Sequence, residues 1–322
     1  MRGHRGGQVR AQARVGGPGG AGGTHMSTNV AKHLAVPAPG ASPRRDAPRP
    51  VLKLVLSLAL FALAFVATSF ALAWAEGWGL DENLAYEWAG ALCFGLACIL
   101  AGGARLLCAD RAGLGYAWHV IWPFIVASVV MMAMQLFSYA EAGEAVAEDW
   151  AWGVGYEALL CLGIGLFEEL MCRGLLLNAL LAVLGRRRWG VAVAAGVVSL
   201  VFGVLHISWA SVDLADALQL AQAVLKVTQT ALYSFALCVV VARTQSVVGV
   251  ALLHGLDDFL IMFVPNGVFG EPDTTAYVSA GSDALPTIVF YAVVIAVYAP
   301  LAVRAARELA RAPMPERGAF VG

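Results

Sequence analysis

The sequence predicts an all-α membrane protein: a bundle of about eight transmembrane helices with both termini cytoplasmic. Composition is the first observation. The 322 residues are 60% hydrophobic and 13% charged, with a mean hydropathy of +0.73, whereas soluble domains are about 25% charged. Apolar run length is the second. A helix needs about 20 mainly apolar residues to cross the hydrocarbon core, and eight stretches meet that need: 51–74, 84–107, 117–137, 152–184, 189–207, 218–242, 246–264 and 285–303. The third is the charge of the connections, which alternates. Basic connections carry Arg44, Arg45, Arg49 and Lys53, then Arg105 and Arg111, then Arg186 to Arg188, then Arg243, then Arg304, Arg307, Arg311 and Arg317. Those between them carry Glu76, Asp81 and Glu82, then Glu141, Glu144, Glu148 and Asp149, then Asp213 and Asp216, then Glu271, Asp273 and Asp283. Lysine and arginine mark the cytoplasmic side, so every basic connection falls there and the span count is even.

Residues 1–50 are rich in Gly, Ala, Pro and Arg and lack apolar periodicity, which predicts a disordered basic N-terminal segment. Up to Lys53 the chain holds nine basic residues against one acid, Asp46. Their place directly ahead of an apolar span makes them orientation signals, and no nucleic-acid partner is expected. Met26 offers a second start. The first apolar run is too long for a cleaved signal peptide. The transmembrane helical domain is expected over 51–304, with a motif core at 152–264 and a cytoplasmic tail at 305–322. The fourth stretch has 33 residues, roughly 50 Å of helix against a core of about 30 Å. Its second half is expected to tilt or lie along the interface, with the triple arginine snorkelling into headgroups. The six cysteines have no zinc-like spacing and read as small core hydrophobes. Cys172, inside the motif core, is a weaker candidate nucleophile.

The stretch from Leu166 to Leu175 sets two carboxylates and a guanidinium into an apolar run. Each charge at bilayer depth costs at least about 2.5–3.5 kcal/mol, and such residues face the protein interior or a wet cavity. Glu169 and Arg173 are four apart, in the favourable order for an ion pair on one helix face. Glu168 points about 100° away, since a helix has 3.6 residues per turn. One carboxylate is thus held by arginine and one is left to act as a general base. A structural ion pair between helices would use the same residues. Phe202 and His206 follow on the fifth span, and His254, Asp257 and Asp258 on the seventh, where His254 and Asp258 share a face. Three spans each bring ionisable groups, which together suit water activation: a base, a partner to orient it and donors for an oxyanion. On the sixth span Gln219, Gln222, Lys226, Gln229 and Tyr233 recur at helical spacing. This polar stripe is expected to line a cavity, with Lys226 near an acid such as Glu157 or Asp257.

Glu168-Glu169-x-x-x-Arg173, Phe202-x-x-x-His206 and His254-x-x-x-Asp258, in this order and within membrane spans, resemble the motif set of the CPBP family. That group includes the type II CAAX prenyl endopeptidases and the bacteriocin-processing (Abi) membrane proteases. The resemblance implies an intramembrane protease with a cavity among its central helices, acting on a membrane-associated peptide or protein substrate in the cell membrane. It implies Glu168 as the water-activating carboxylate, His206 as its partner, His254 and Asp258 as residues that orient water or stabilise the oxyanion, and Glu169 with Arg173 as the supporting pair. Phe202, Asp257, Gln222, Lys226 and Gln229 would line the cavity. The family is described as metalloprotease, and a metal-free glutamate mechanism has also been argued. If a divalent metal such as Zn is bound, His206, His254 and Glu168 are its candidate ligands. The prenyl endopeptidase branch has asparagine where this chain has Asp258. Two other classes use the same residues differently: a non-catalytic membrane immunity or scaffold protein, and a small-solute carrier built on the polar stripe. Depth sets a condition. At 1.5 Å per residue, Glu168 and His206 lie about 25 Å from the cytoplasmic ends of their spans and His254 about 13 Å. Tilt or a re-entrant start must bring them together.

Overall fold

A computed structural model describes residues 50–185, 187–271 and 277–311. The basic segment expected to be disordered up to residue 50 lies outside the described residues except for Pro50, as do Arg186 and the tail beyond Arg311. The described residues are helical with short connections and contain no strand. The helices are α1 (Pro50–Gly77), α2 (Glu82–Leu100), α3 (Arg111–Ala142), α4 (Trp150–Glu169), α5 (Asn178–Leu184), α6 (Arg188–Leu205), α7 (Ala217–Thr244), α8 (Val248–Met262) and α9 (Ala284–Arg311). A π-helical segment, Leu170–Leu177, joins α4 to α5, and a second, Phe263–Val268, extends α8.

Among the described residues seven helices are long and apolar enough to cross a membrane: α1, α2, α3, α6, α7, α8 with its π-helical extension, and α9 with the turn before it. The remaining expected span, 152–184, is the run α4–π–α5. It carries Glu157, Glu168, Glu169 and Arg173 and changes helix type midway. The excess length of this stretch is absorbed by that π-helical segment and by a separate short α5. The last helix runs past the expected end at 303 as far as Arg311.

Helix starts follow from local chemistry. A side-chain oxygen ahead of a helix satisfies backbone N–H groups that have no intrahelical partner. Asp81 accepts from Leu84 N at 2.9 Å, Asp110 from Gly113 N at 2.6 Å and Asp216 from Leu218 N at 2.8 Å. The polarity of the bundle is inverted relative to a water-soluble protein. Phe70, Leu92, Met134 and Phe137 are exposed, whereas Glu169, Arg173, Gln222 and His254 are buried. Lipid tails accept the first set, and only partners inside the bundle can accept the second.

Packing brings the motif helices together. α7 packs against α6 and α9, α8 against α4 and α3, and α2 against α1 and α4. Two of the crossings that leave no room for a side chain lie beside the motifs. At the α4–α8 crossing, a Cβ on Gly165 would collide with Ala251 O and Gly255 N, and one on Gly255 would sit 2.6 Å from Cys161 O. At the α6–α7 crossing, a Cβ on Gly203 would sit 2.5 Å from Val227 O. Small residues let membrane helices approach this closely. The first crossing is beside Glu168 and His254, the second beside His206 and Lys226.

Gly255→Val is therefore expected to destabilise the bundle, since over-packing costs about 1–3 kcal/mol. Gly155→Ala is the control, because nothing lies within 4 Å of a Cβ there. Thermal unfolding in detergent checks this: the Gly255→Val midpoint should fall by several degrees and the Gly155→Ala midpoint should not.

Candidate active site

α4 ends on Glu168 and Glu169 and passes directly into the π-helical segment that carries Arg173. Wide turns of this kind are frequent at functional sites. Glu169 and Arg173 are both 0% exposed. Arg173 Nη1 donates to Glu169 Oε1 at 2.9 Å. Its Nη2 donates to Ser234 Oγ at 2.7 Å and to Ser234 O at 3.3 Å, which ties the segment to α7. The guanidinium lies 4.4 Å over the Phe202 ring. A buried charge is tolerated when it is paired and its donors are used, and this network meets much of that requirement.

His254 joins the same oxygen. Its Nδ1–H donates to Glu169 Oε1 at 2.9 Å. With Nδ1 held there, Nε2 faces Glu168 Oε2 and Asp258 Oδ2, each at 3.6 Å. The tautomer follows from the bond to the carboxylate. The depth condition is thus met: the imidazole of α8 and the carboxylate of α4 come together through the close α4–α8 crossing. Glu168 Oε2 makes no hydrogen bond among the described residues. The Glu168 and Asp258 side chains are 22% and 24% exposed, and that of His254 is 4% exposed.

His206 follows the last turn of α6. Its Nδ1–H donates to Phe202 O at 2.8 Å, leaving Nε2 as the nitrogen available for chemistry. The Phe202 ring bridges the two histidines, with its centroid 4.5 Å from His206 and 5.7 Å from His254. Tyr233 of the polar stripe also packs on His254, at 5.6 Å.

The other expected cavity residues have distinct partners. Asp257 is buried and accepts from Ser128 Oγ of α3 at 2.5 Å. Gln222 is 0% exposed and grips Ser279 in the turn before α9, donating to Ser279 O at 2.9 Å and accepting from Ser279 N at 2.8 Å. Gln229 accepts from Thr230 Oγ1 at 3.4 Å. Lys226 sets its ammonium 4.0 Å from the Tyr277 ring centroid.

Sequence reasoning missed Glu87 of α2, which packs against Gly163 of α4. Its Oε2 has no hydrogen-bond partner among the described residues. Its only signal was a glutamate a few residues inside an apolar run, where it reads as part of the interface. Ser128 and Ser234 were also missed, because an isolated serine in a membrane helix carries no pattern.

The metal allowed by the family resemblance does not fit the side chains as they stand. Among the described residues no group of three or more His, Cys, Asp or Glu side chains is placed to hold one ion.

Residues 149–260 match the family model described as Type II CAAX prenyl endopeptidase Rce1-like. The matched stretch opens at the residue preceding α4 and closes two residues after Asp258, so it holds every residue of the three motifs. No curated protein and no solved structure matches the chain.

Arg173→Met removes the cation from a fully buried pair and strands the Glu169 carboxylate. Breaking such a pair costs about 3–5 kcal/mol. A clear fall in the thermal midpoint of the purified protein is expected, and an unchanged midpoint would show that the pair is not what holds this region.

Proposed function

We propose that the protein is a CAAX-type intramembrane endopeptidase that hydrolyses a peptide bond with water activated by Glu168. The observation that carries this is the division of labour between adjacent carboxylates. Glu169 is buried and committed to Arg173 and His254, whereas Glu168 is partly exposed with an oxygen lacking a hydrogen-bond partner among the described residues. The match of residues 149–260 to a prenyl endopeptidase family supports the reaction class.

In this mechanism Glu168 takes a proton from water, and the resulting hydroxide attacks the scissile carbonyl carbon. The tetrahedral oxyanion forms among His254, His206 and the residue at 258. His254 is kept in orientation by Glu169, and preorganised groups of this kind stabilise charge that develops in the transition state. The proton held by Glu168 then passes to the leaving nitrogen as the C–N bond breaks, giving a free amine and a carboxylic acid. Removing a positioned general base typically costs about 10²–10⁴-fold in rate.

The substrate is a peptide or protein held at the membrane. The alternating charges support an orientation with both termini, and the basic connections, on the cytoplasmic side of the cell membrane.

Protein N-termini in cells carrying the wild-type chain should include new ones that are absent with Glu168→Gln. A peptide spanning that cleavage site should then be cut by purified wild type and not by Glu168→Gln or His254→Ala, with each variant keeping its thermal unfolding transition. If the biological effect persists in both variants, the protein is a scaffold rather than a hydrolase.

A further inference from the structure

His206 meets two aromatic rings. One is Phe202, with centroids 4.5 Å apart, and Phe202 in turn stands 5.7 Å from His254. The other is Tyr277, at 6.4 Å, in the turn that leads into α9. Aromatic pairs interact over centroid separations of about 4.5–7 Å, so a continuous file of rings runs from that turn to the imidazole beside Glu168. Tyr277 lies outside the stretch matched to the prenyl endopeptidase family, and the mechanism above makes no use of it.

The turn is fastened from two helices. Buried Gln222 of α7 uses both ends of its amide. Its Oε1 accepts from Ser279 N at 2.8 Å and from Ser279 Oγ at 3.0 Å, and its Nε2 donates to Ser279 O at 2.9 Å. Tyr291 Oη of α9 donates to Tyr277 O at 2.7 Å. The Lys226 ammonium lies 4.0 Å from the Tyr277 ring centroid, a cation–π contact. Tyr277 and Val278 also pack on an apolar cluster of Ile207, Val212, Ala223 and Val227. Ile207 directly follows His206, and Val227 is held against Gly203 of α6. A connection between helices is ordinarily among the loosest parts of a bundle. This one is tied down beside His206, by a buried amide that has to keep its partners.

The imidazole of His206 needs that support. The bond from Nδ1 to Phe202 O fixes one edge of the ring, and Nε2, on the far edge, makes the chemistry. We propose that Tyr277 is a positioning residue of the active site: the Gln222–Ser279 latch sets its ring beside His206, and the ring keeps Nε2 of His206 directed into the site. The role of His206 rests on the endopeptidase function proposed above. Latch and ring form one unit, so loosening either has the same effect on His206.

The test reads His206 directly, on the full-length protein in detergent. Diethyl pyrocarbonate acylates an unprotonated imidazole nitrogen, and mass spectrometry measures the product at each histidine, with exposed His119 as the internal reference. Relative to His119, His206 should react several-fold faster in Tyr277→Ala and in Gln222→Leu than in wild type. In Tyr277→Phe, which keeps the ring, it should react at the wild-type rate. Cleavage is followed with a fluorogenic peptide that copies the site found by comparison with Glu168→Gln. Tyr277→Ala should lower kcat about tenfold with little change in KM, since a small misplacement of a reacting group can cost about 100-fold. Tyr277→Phe should keep the wild-type kcat. Equal His206 reactivity in Tyr277→Ala and wild type overturns the inference, and so does a loss of activity that appears in KM alone. Gln222→Leu gives the same decision where Tyr277→Ala does not fold. If Glu168→Gln cuts as well as wild type, the endopeptidase function fails instead, and the labelling still decides whether the turn positions the His206 ring.

Discussion

A single oxygen atom organises the centre of this protein. Glu169 Oε1 accepts a hydrogen bond from Arg173 and another from His254, both at 2.9 Å. Through Arg173 it reaches Ser234 on α7, and through His254 it reaches α8. Three parts of the chain, distant in sequence, are thus fixed around one carboxylate. In water such bonds would compete with solvent and contribute little. Inside the bundle, losing one partner leaves a charge with nowhere to go, and the arrangement becomes close to obligatory. The helix crossings are subordinate to it. Gly165 and Gly255 have no side chain because any Cβ there would hold α4 and α8 apart and take His254 out of reach of Glu169 and Glu168.

The π-helical segment after Glu169 belongs to the same constraint. A π turn has hydrogen bonds to the fifth residue rather than the fourth and inserts one residue into the helical register. Here it falls within the stretch that carries Arg173, next to two consecutive carboxylates that must do different things. The long apolar run that includes it is accommodated by this change of helix type and by the short α5 that follows.

Much of the architecture was legible in the sequence. Apolar length and the cost of charge in lipid are large effects acting residue by residue, so the spans and the three charged motifs stand out without any knowledge of packing. The distinction between the two glutamates was legible too, because Arg173 lies four residues after Glu169 and not after Glu168. What could not be read depends on helix tilt. Which imidazole stands beside Glu168 is decided by the angle at which α4 crosses α8, and apolar composition does not encode that angle. Glu87 escaped notice for a related reason: near the end of a span, a glutamate in headgroups and a glutamate aimed inward have the same sequence. Gln222 shows the limit of helical periodicity. Its spacing put it on the inner face of α7, but only the structure assigns it to the Ser279 turn.

The buried and partly exposed members of the cluster separate into two sets with different physical duties. Glu169, Arg173 and His254 have almost no exposure, and rigidity is what a low-dielectric interior supplies, since polar groups there cannot exchange partners with water. Glu168, Asp258, His206 and Lys226 all retain some exposure. The hydrolysis proposed above needs both conditions at once. A water molecule and a peptide must reach the reacting groups, and those groups must not reorganise when charge develops. A site built only from the buried set would be rigid and inaccessible. One built only from the exposed set would solvate its own charges and lose its orientation. His254 is the residue in which the two sets meet, with Nδ1 in the buried half and Nε2 in the open one, so the buried ion pair constrains Glu168 through one planar ring.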